Sequence, residues 1–249
     1  MIPPEHERAA AAAVEFLAGL DEVEAVLLVG SAARRADAND LDLSALVRSD
    51  AAAAEVERRF AGFAAKSPEL RAAAATGPFR DVELHALTGE FAPGERGWTS
   101  GPDDFEVAVG NEVAYSVCLW QRGSRYDELR GRWLPYYGDD LRARRLADAR
   151  MYALNDLDHV PLMLERDEPF HAFHRLYHAF QEFLQALFVA RRVYPIAYDK
   201  WIREQVEALL GLPELYRELP GIVGVPGLEP AAIARSERRL RALLDAWTA

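Results

Sequence analysis

Read as a pattern of apolar and polar positions, the chain changes character partway along. Glu5 to Leu20 repeats apolar residues at helical spacing. Ala25 to Val29 is a short apolar run closed by Gly30, the signature of a buried strand, and Ser31 to about Asp37 reads as a short helix. Leu41 to Val47 alternates and predicts a strand; Asp50 to Lys66 predicts a helix with Ser49 or Asp50 as its N-cap. Asp81 to Leu87 alternates again. Gly89 to Asp104, rich in Gly and Pro, predicts a loop, and Val113 to Trp120 a last strand. Helical periodicity then dominates: Asp140 to Val160, Pro169 to Arg192, Tyr198 to Leu210, Pro213 to Leu219 and Pro230 to Trp247. On the second of these Phe170, Phe173, Tyr177, Phe180, Leu184, Leu187 and Phe188 form one stripe. Pro161 is expected to kink or end the helix before it. The expected architecture is α+β: a small mixed-sheet domain over residues 1–125, then an all-helical bundle over 126–249.

Two acids interrupt the second strand. In "LLVGSAARRADANDLDLSALV", Asp40 and Asp42 are two positions apart and share one face, while Leu41 and Leu43 point to the other. Side-by-side carboxylates repel, and one takes up a proton unless a cation neutralises them. Oxygen ligands of this kind suit Mg²⁺. An exposed edge strand with solvated acids would give the same Asp-x-Asp, so the neighbours decide. Gly30-Ser31 lies where a strand hands over to the next element, and glycine lets backbone approach a ligand closely. With the Ser31 hydroxyl and backbone N–H groups, the turn reads as an anion cradle. In "FRDVELHAL", Glu83 falls on the polar side of a further alternation, and it reaches the same site if the two strands pair.

"VGSAARRADANDLDLSAL" followed by "VELHAL" resembles the nucleotidyltransferase superfamily that includes DNA polymerase beta and the aminoglycoside nucleotidyltransferases. There a Gly-Ser follows the first strand, an Asp-x-Asp lies on the next, and a third carboxylate comes later. The matching residues are Gly30, Ser31, Asp40, Asp42 and Glu83, with Arg34 at a basic position common in bacterial members. The Ser31-to-Asp40 interval is a residue or two shorter than usual and lacks a frequent glycine. The helical half also resembles the C-terminal bundle of bacterial small-molecule members, through "FLQALFVARRVYPIAYDKWIREQ".

The resemblance implies transfer of a nucleoside monophosphate, AMP from ATP being expected, to an acceptor hydroxyl. Asp40 and Asp42 would hold one or two Mg²⁺ ions; Gly30, Ser31 and Arg34 would hold the β- and γ-phosphates. Glu83 would be a metal ligand or the general base. Lys200, after Tyr194-Pro195 and beside Trp201, either reaches the triphosphate or faces solvent. His171, His174 and His178, with Glu182 one turn on, have metal-like spacing but no Cys or other sharply placed ligand, so a polar face is the favoured reading. Asp156, Asp158 and His159 are acids and a base that either bind a cationic acceptor or are solvated. Tyr115, Trp120, Trp133, Tyr136 and Tyr137 gather near the proposed boundary, where core or interface roles outweigh base stacking.

Composition narrows the acceptor. A formal net charge of −11 repels a phosphate backbone, which disfavours general nucleic-acid binding, and it attracts cationic small molecules such as aminoglycosides. The single cysteine, Cys118, forms no internal disulfide. With no basic leader and no long apolar run, a cytoplasmic enzyme is expected. Whether it forms a homodimer is left open. The alternatives are a protein-adenylylating or regulatory transferase, and a domain that binds nucleotide without turnover.

Overall fold

The computed structural model describes residues 3–35, 38–75 and 81–248. The fold is α+β, as expected. Two compact units form it: residues 1–92 with 108–135, and residues 93–107 with 136–249.

The first unit is built on a four-stranded mixed sheet of β1 (Val23–Leu28), β2 (Leu41–Val47), β3 (Val82–Leu87) and β4 (Val117–Gln121), in the order β3-β2-β1-β4. β1 pairs antiparallel with β2 and with β4, whereas β2 and β3 run parallel. The parallel pair needs a long crossover. It is supplied by α2 (Asp50–Ala64) and α3 (Pro68–Ala74), each started by a serine: Ala52 N–H donates to Ser49 Oγ at 3.3 Å and Leu70 N–H to Ser67 Oγ at 3.4 Å. Together with α1 (Pro4–Ala18), these helices cover one sheet face. Val26, Leu28, Leu41, Leu43 and Ala45 meet Ala9, Ala13, Leu17, Val56 and Phe60 there in one buried cluster. Phe16 stacks on Phe63 with ring centroids 4.3 Å apart. β3 is an edge strand, and Glu57 of α2 accepts the Ala86 N–H at 2.8 Å.

Two expectations change here. Ser31 to Arg34 forms a turn, not a helix: the amides of Arg34 and Arg35 both donate to the Ser31 carbonyl, at 3.0 and 2.9 Å. One turn is too short for a helix to repay its nucleation. Ala36 and Asp37, which ended the expected helix, lie outside the described residues. The expected strand from Val113 begins only at Val117, because a π-helical turn, Gly110–Ala114, takes up its first residues. A short α4 (Phe105–Val109) precedes that turn and α5 (Arg125–Trp133) follows β4.

The second unit is a helical hairpin, α6 (Asp139–Glu165) and α7 (Pro169–Arg191), joined by α10 (Pro230–Trp247) around a core that includes Leu157, Leu176, Phe183, Leu187, Leu240 and Leu244. α6 runs through Pro161 to Glu165, since the buried residues on either side, Val160 and Met163, keep it packed. Phe170 leaves the predicted stripe. It sits in the first turn of α7 at the hairpin's end and is 77% exposed. Tyr198 to Leu210 is not a regular helix. The Gln205 side chain accepts from the Ile196 amide and donates to the carbonyls of Ala197 and Lys200, which satisfies an irregular backbone; coiling begins only at Ile202 and runs as a π-helix over Glu204–Leu209. Two short helices, α8 (Pro213–Glu218) and α9 (Pro220–Val223), lead into α10.

Segment 93–107 is held within this unit by buried charge. Arg145 on α6 donates to both carboxylate oxygens of Asp103, at 2.9 and 2.5 Å, and to both of Glu106, each at 2.7 Å. Tyr137 and Gln185 also donate to Glu106, each at 2.9 Å, and Arg96 pairs with the fully buried Glu182 on α7. No helix of the described residues is long and apolar enough to cross a membrane.

Candidate functional site

On the sheet face opposite the main core, β2 and β3 stand in register: Asp42 opposite Glu83 and Ser44 opposite His85. In-register neighbours present their side chains to the same face. The parallel pairing therefore puts Asp42 and Glu83 at neighbouring positions on one face of the sheet. Glu83 is exposed, while Asp42 is half-buried. Asp40 precedes β2 and accepts a hydrogen bond from Ser31 Oγ at 3.3 Å, which ties the acid to the turn after β1. Ser44, one step further along this face, is fully buried, and its Oγ has no hydrogen-bond partner among the described residues.

The turn itself is shaped by a glycine. Gly30 has φ of +63°, and a Cβ there would lie 2.0 Å from Asp42 Oδ2. Both the left-handed backbone and the missing side chain are needed to seat the Asp42 carboxylate against the turn. Pairing continues past the strand end, where the Val29 amide donates to the Asp42 carbonyl at 3.0 Å. Arg34 reaches back over the turn and donates through Nη1 to the Gly30 carbonyl at 2.8 Å and to Asn111 Oδ1 at 3.4 Å.

Gly30, Ser31, Arg34, Asp40, Asp42 and Glu83 thus fall on three neighbouring segments of one unit. Among the described residues no three His, Cys, Asp or Glu side chains close into a group able to hold a metal ion. Glu83 stands opposite Asp42 in the ladder and Asp40 two positions before it, rather than in a tight cage. Their chemistry, hard anionic oxygen, fits Mg²⁺, and the Asp42 carboxylate is seated directly over Gly30, where a side chain would otherwise stand.

Lys200 belongs to the other unit. It is exposed, and its carbonyl accepts from Gln205 Nε2 at 2.9 Å. The histidines of α7 are also there. His174 and His178 lie with ring centroids 4.0 Å apart, and burial followed by the neighbouring His174 pushes His178 below the usual histidine range. Asp156 is buried against Arg175 at 2.8 Å, and burial raises its carboxyl above the usual range. Asp158 pairs with Arg241 at 2.9 Å, and His159 Nδ1 lies 2.7 Å from the Asn155 carbonyl. Tyr137 and Trp133 are core residues, and Tyr136 stacks against Tyr137 and Tyr194.

Two residues near the acids carried no signal in the sequence. Asn111 and Glu112 are consecutive on the π-helical turn; the first meets Arg34 and the second lies 3.7 Å from His85 Nδ1. The Glu112 carboxylate holds His85 above the usual histidine range. Neither belongs to a periodic pattern, and π turns of this kind recur at functional sites.

No protein-family model matches the chain, and no curated protein matches it. Among solved structures, a nucleotidyltransferase-like protein from Exiguobacterium sibiricum matches 97% of this chain and 74% of its own, with 13% identity and a TM-score of 0.49. At that distance neither residue roles nor activity carry over.

Proposed function

We propose that the protein is a nucleotidyltransferase that moves AMP from ATP to a hydroxyl of a small, cationic acceptor. The observation that carries this reading is the parallel register of Asp42 and Glu83 beside the Gly30-Ser31 turn, with Asp40 tied to Ser31. Three carboxylates on one polar surface, next to a glycine turn under an arginine, suit a cation-bound polyphosphate better than open water.

In this reading Asp40, Asp42 and Glu83 would hold Mg²⁺, which when bound neutralises charge on the phosphates and the leaving pyrophosphate. The Gly30-Ser31 turn and Arg34 bind the β- and γ-phosphates and orient the α-phosphorus. The acceptor oxygen forms its bond to the α-phosphorus as the bond to the bridging oxygen of pyrophosphate breaks. The hydroxyl proton would pass to a carboxylate of the site, and Glu83, the most exposed of the three, would be that general base where it does not serve as a metal ligand. The −11 formal charge favours cationic acceptors, aminoglycosides among them.

Incubation with labelled ATP, Mg²⁺ and a panel of aminoglycosides tests the proposal. Label on a small molecule supports it. Label on protein points to a protein-modifying transferase, and ATP binding without transfer to a domain that binds nucleotide without turnover. Asp42→Asn is expected to abolish transfer, and retained turnover would sink the assignment.

A further inference from the structure

We propose that Asn111 is a positioning residue for the nucleotide phosphates, acting through Arg34. The inference rests on the nucleotidyltransferase reading and adds to it a residue from a part of the chain outside the acidic motif.

Arg34 is a long side chain on a short turn, only four residues beyond Gly30, and its own backbone amide is committed to Ser31. One guanidinium nitrogen, Nη1, meets two acceptors: the Gly30 carbonyl at 2.8 Å and Asn111 Oδ1 at 3.4 Å. The first contact is local. The second spans 77 residues of sequence, so only the fold supplies it. Together they lay the guanidinium across the turn that lies against Asp42 rather than leaving it to sweep through solvent. A pre-oriented fork loses less freedom when it meets a phosphate.

The backbone beneath Asn111 is shaped for this. Gly110–Ala114 is a π-helical turn closed by the Tyr115 amide donating to the Gly110 carbonyl at 2.9 Å. Its wider winding lets consecutive residues serve different strands: Asn111 meets Arg34 after β1, and Glu112 faces His85 on β3. The turn therefore contacts both the turn after β1 and the strand that carries Glu83. An amide also suits the position chemically. It accepts from Arg34 without adding a negative charge where phosphates are to bind, as an aspartate would.

The test is a double-mutant cycle read by Mg·ATP titration and by turnover, using the full chain. Asn111→Ala is expected to weaken Mg·ATP binding about tenfold, the loss of one hydrogen bond to a charged group. In turnover it raises KM for ATP and leaves kcat within about twofold. Arg34→Ala weakens binding at least as much, and the double variant is no weaker than Arg34→Ala alone, because the proposed contribution of Asn111 runs through Arg34. A loss from Asn111→Ala that persists undiminished in the Arg34→Ala background overturns the proposal, as does unchanged affinity in Asn111→Ala while Arg34→Ala binds poorly. Should the alanine variant fail to fold, Asn111→Ser, whose hydroxyl is too short to reach Arg34, is read in the same cycle with the same expectations. Asp42→Asn in parallel separates the two levels. Wild-type protein that binds no Mg·ATP overturns the nucleotidyltransferase reading and this assignment with it. Wild-type transfer that Asp42→Asn abolishes, with the KM for ATP unchanged in Asn111→Ala, overturns the Asn111 assignment alone.

Discussion

Gly30→Ala probes the centre of the site with the smallest chemical change available. Two penalties add. Alanine at φ of +63° sits in the left-handed region, which costs an L-residue about 1–2 kcal/mol. The new Cβ would also fall 2.0 Å from Asp42 Oδ2 and 2.9 Å from Asp42 Cγ. No flexible chain end yields there, since Asp42 Cβ itself is 3.1 Å away, so the Asp42 side chain must leave its rotamer at about another 0.5–1.5 kcal/mol. The sum, about 1.5–3.5 kcal/mol, corresponds to a fall in Tm of several degrees for a chain of this size, at about 2–4 °C per kcal/mol. Displacing Asp42 should at the same time remove nucleotidyl transfer. The control is Gly62→Ala on α2, where an added Cβ meets nothing within 4 Å and helix propensity predicts a gain of about 0.5–1 kcal/mol. Thermal unfolding and the labelled-ATP assay, run on both variants, give the comparison. Gly30→Ala with wild-type Tm and wild-type transfer would refute the idea that this turn is shaped to receive Asp42.

Other outcomes follow from packing and buried charge. Arg145→Ala strips the shared cation from buried Asp103 and Glu106 and is expected to destabilise by about 3–5 kcal/mol, read by urea unfolding; a loss under about 1 kcal/mol would mean the network is not stabilising. Leu43→Ala, in the core beneath the acids, should cost about 2–5 kcal/mol, whereas Glu83→Gln on the opposite face should leave the unfolding midpoint unchanged and lower transfer. Ser67→Ala removes the cap of α3 and should cost about 1 kcal/mol in the same unfolding experiment. Chelation of divalent cations should stop transfer and leave the thermal transition of the helical unit in place.

The alternation of Leu41, Asp42, Leu43 and Ser44 was enough to sort core from polar face, because side chains on a strand must alternate and only one face of this sheet meets α1, α2 and α3. Helical periodicity likewise fixed α7 and α10 closely, and Ser49 was legible as a cap from its place before the apolar repeat. The chain pattern was silent where tertiary contacts replace regular hydrogen bonding. Gln205 holds residues 196–200 in an irregular path, the last three of which periodicity read as helix, and a π turn replaced the start of the expected fourth strand. Gly89 to Asp104 read as a loop and Glu106 fell in no expected element, yet Asp103 and Glu106 meet Arg145 about forty residues away, a pairing that no local rule encodes.

By itself the sequence determined which side chains share a face of a strand or helix, since that depends on backbone geometry repeated every two or 3.6 residues. Only the tertiary structure decided that β3 lies parallel beside β2 with Glu83 opposite Asp42, that Gly30 is left-handed against the Asp42 carboxylate, and that Asn111 meets Arg34. These depend on which distant segments come together, and that is set by burial of the whole unit rather than by any residue's neighbours in the chain.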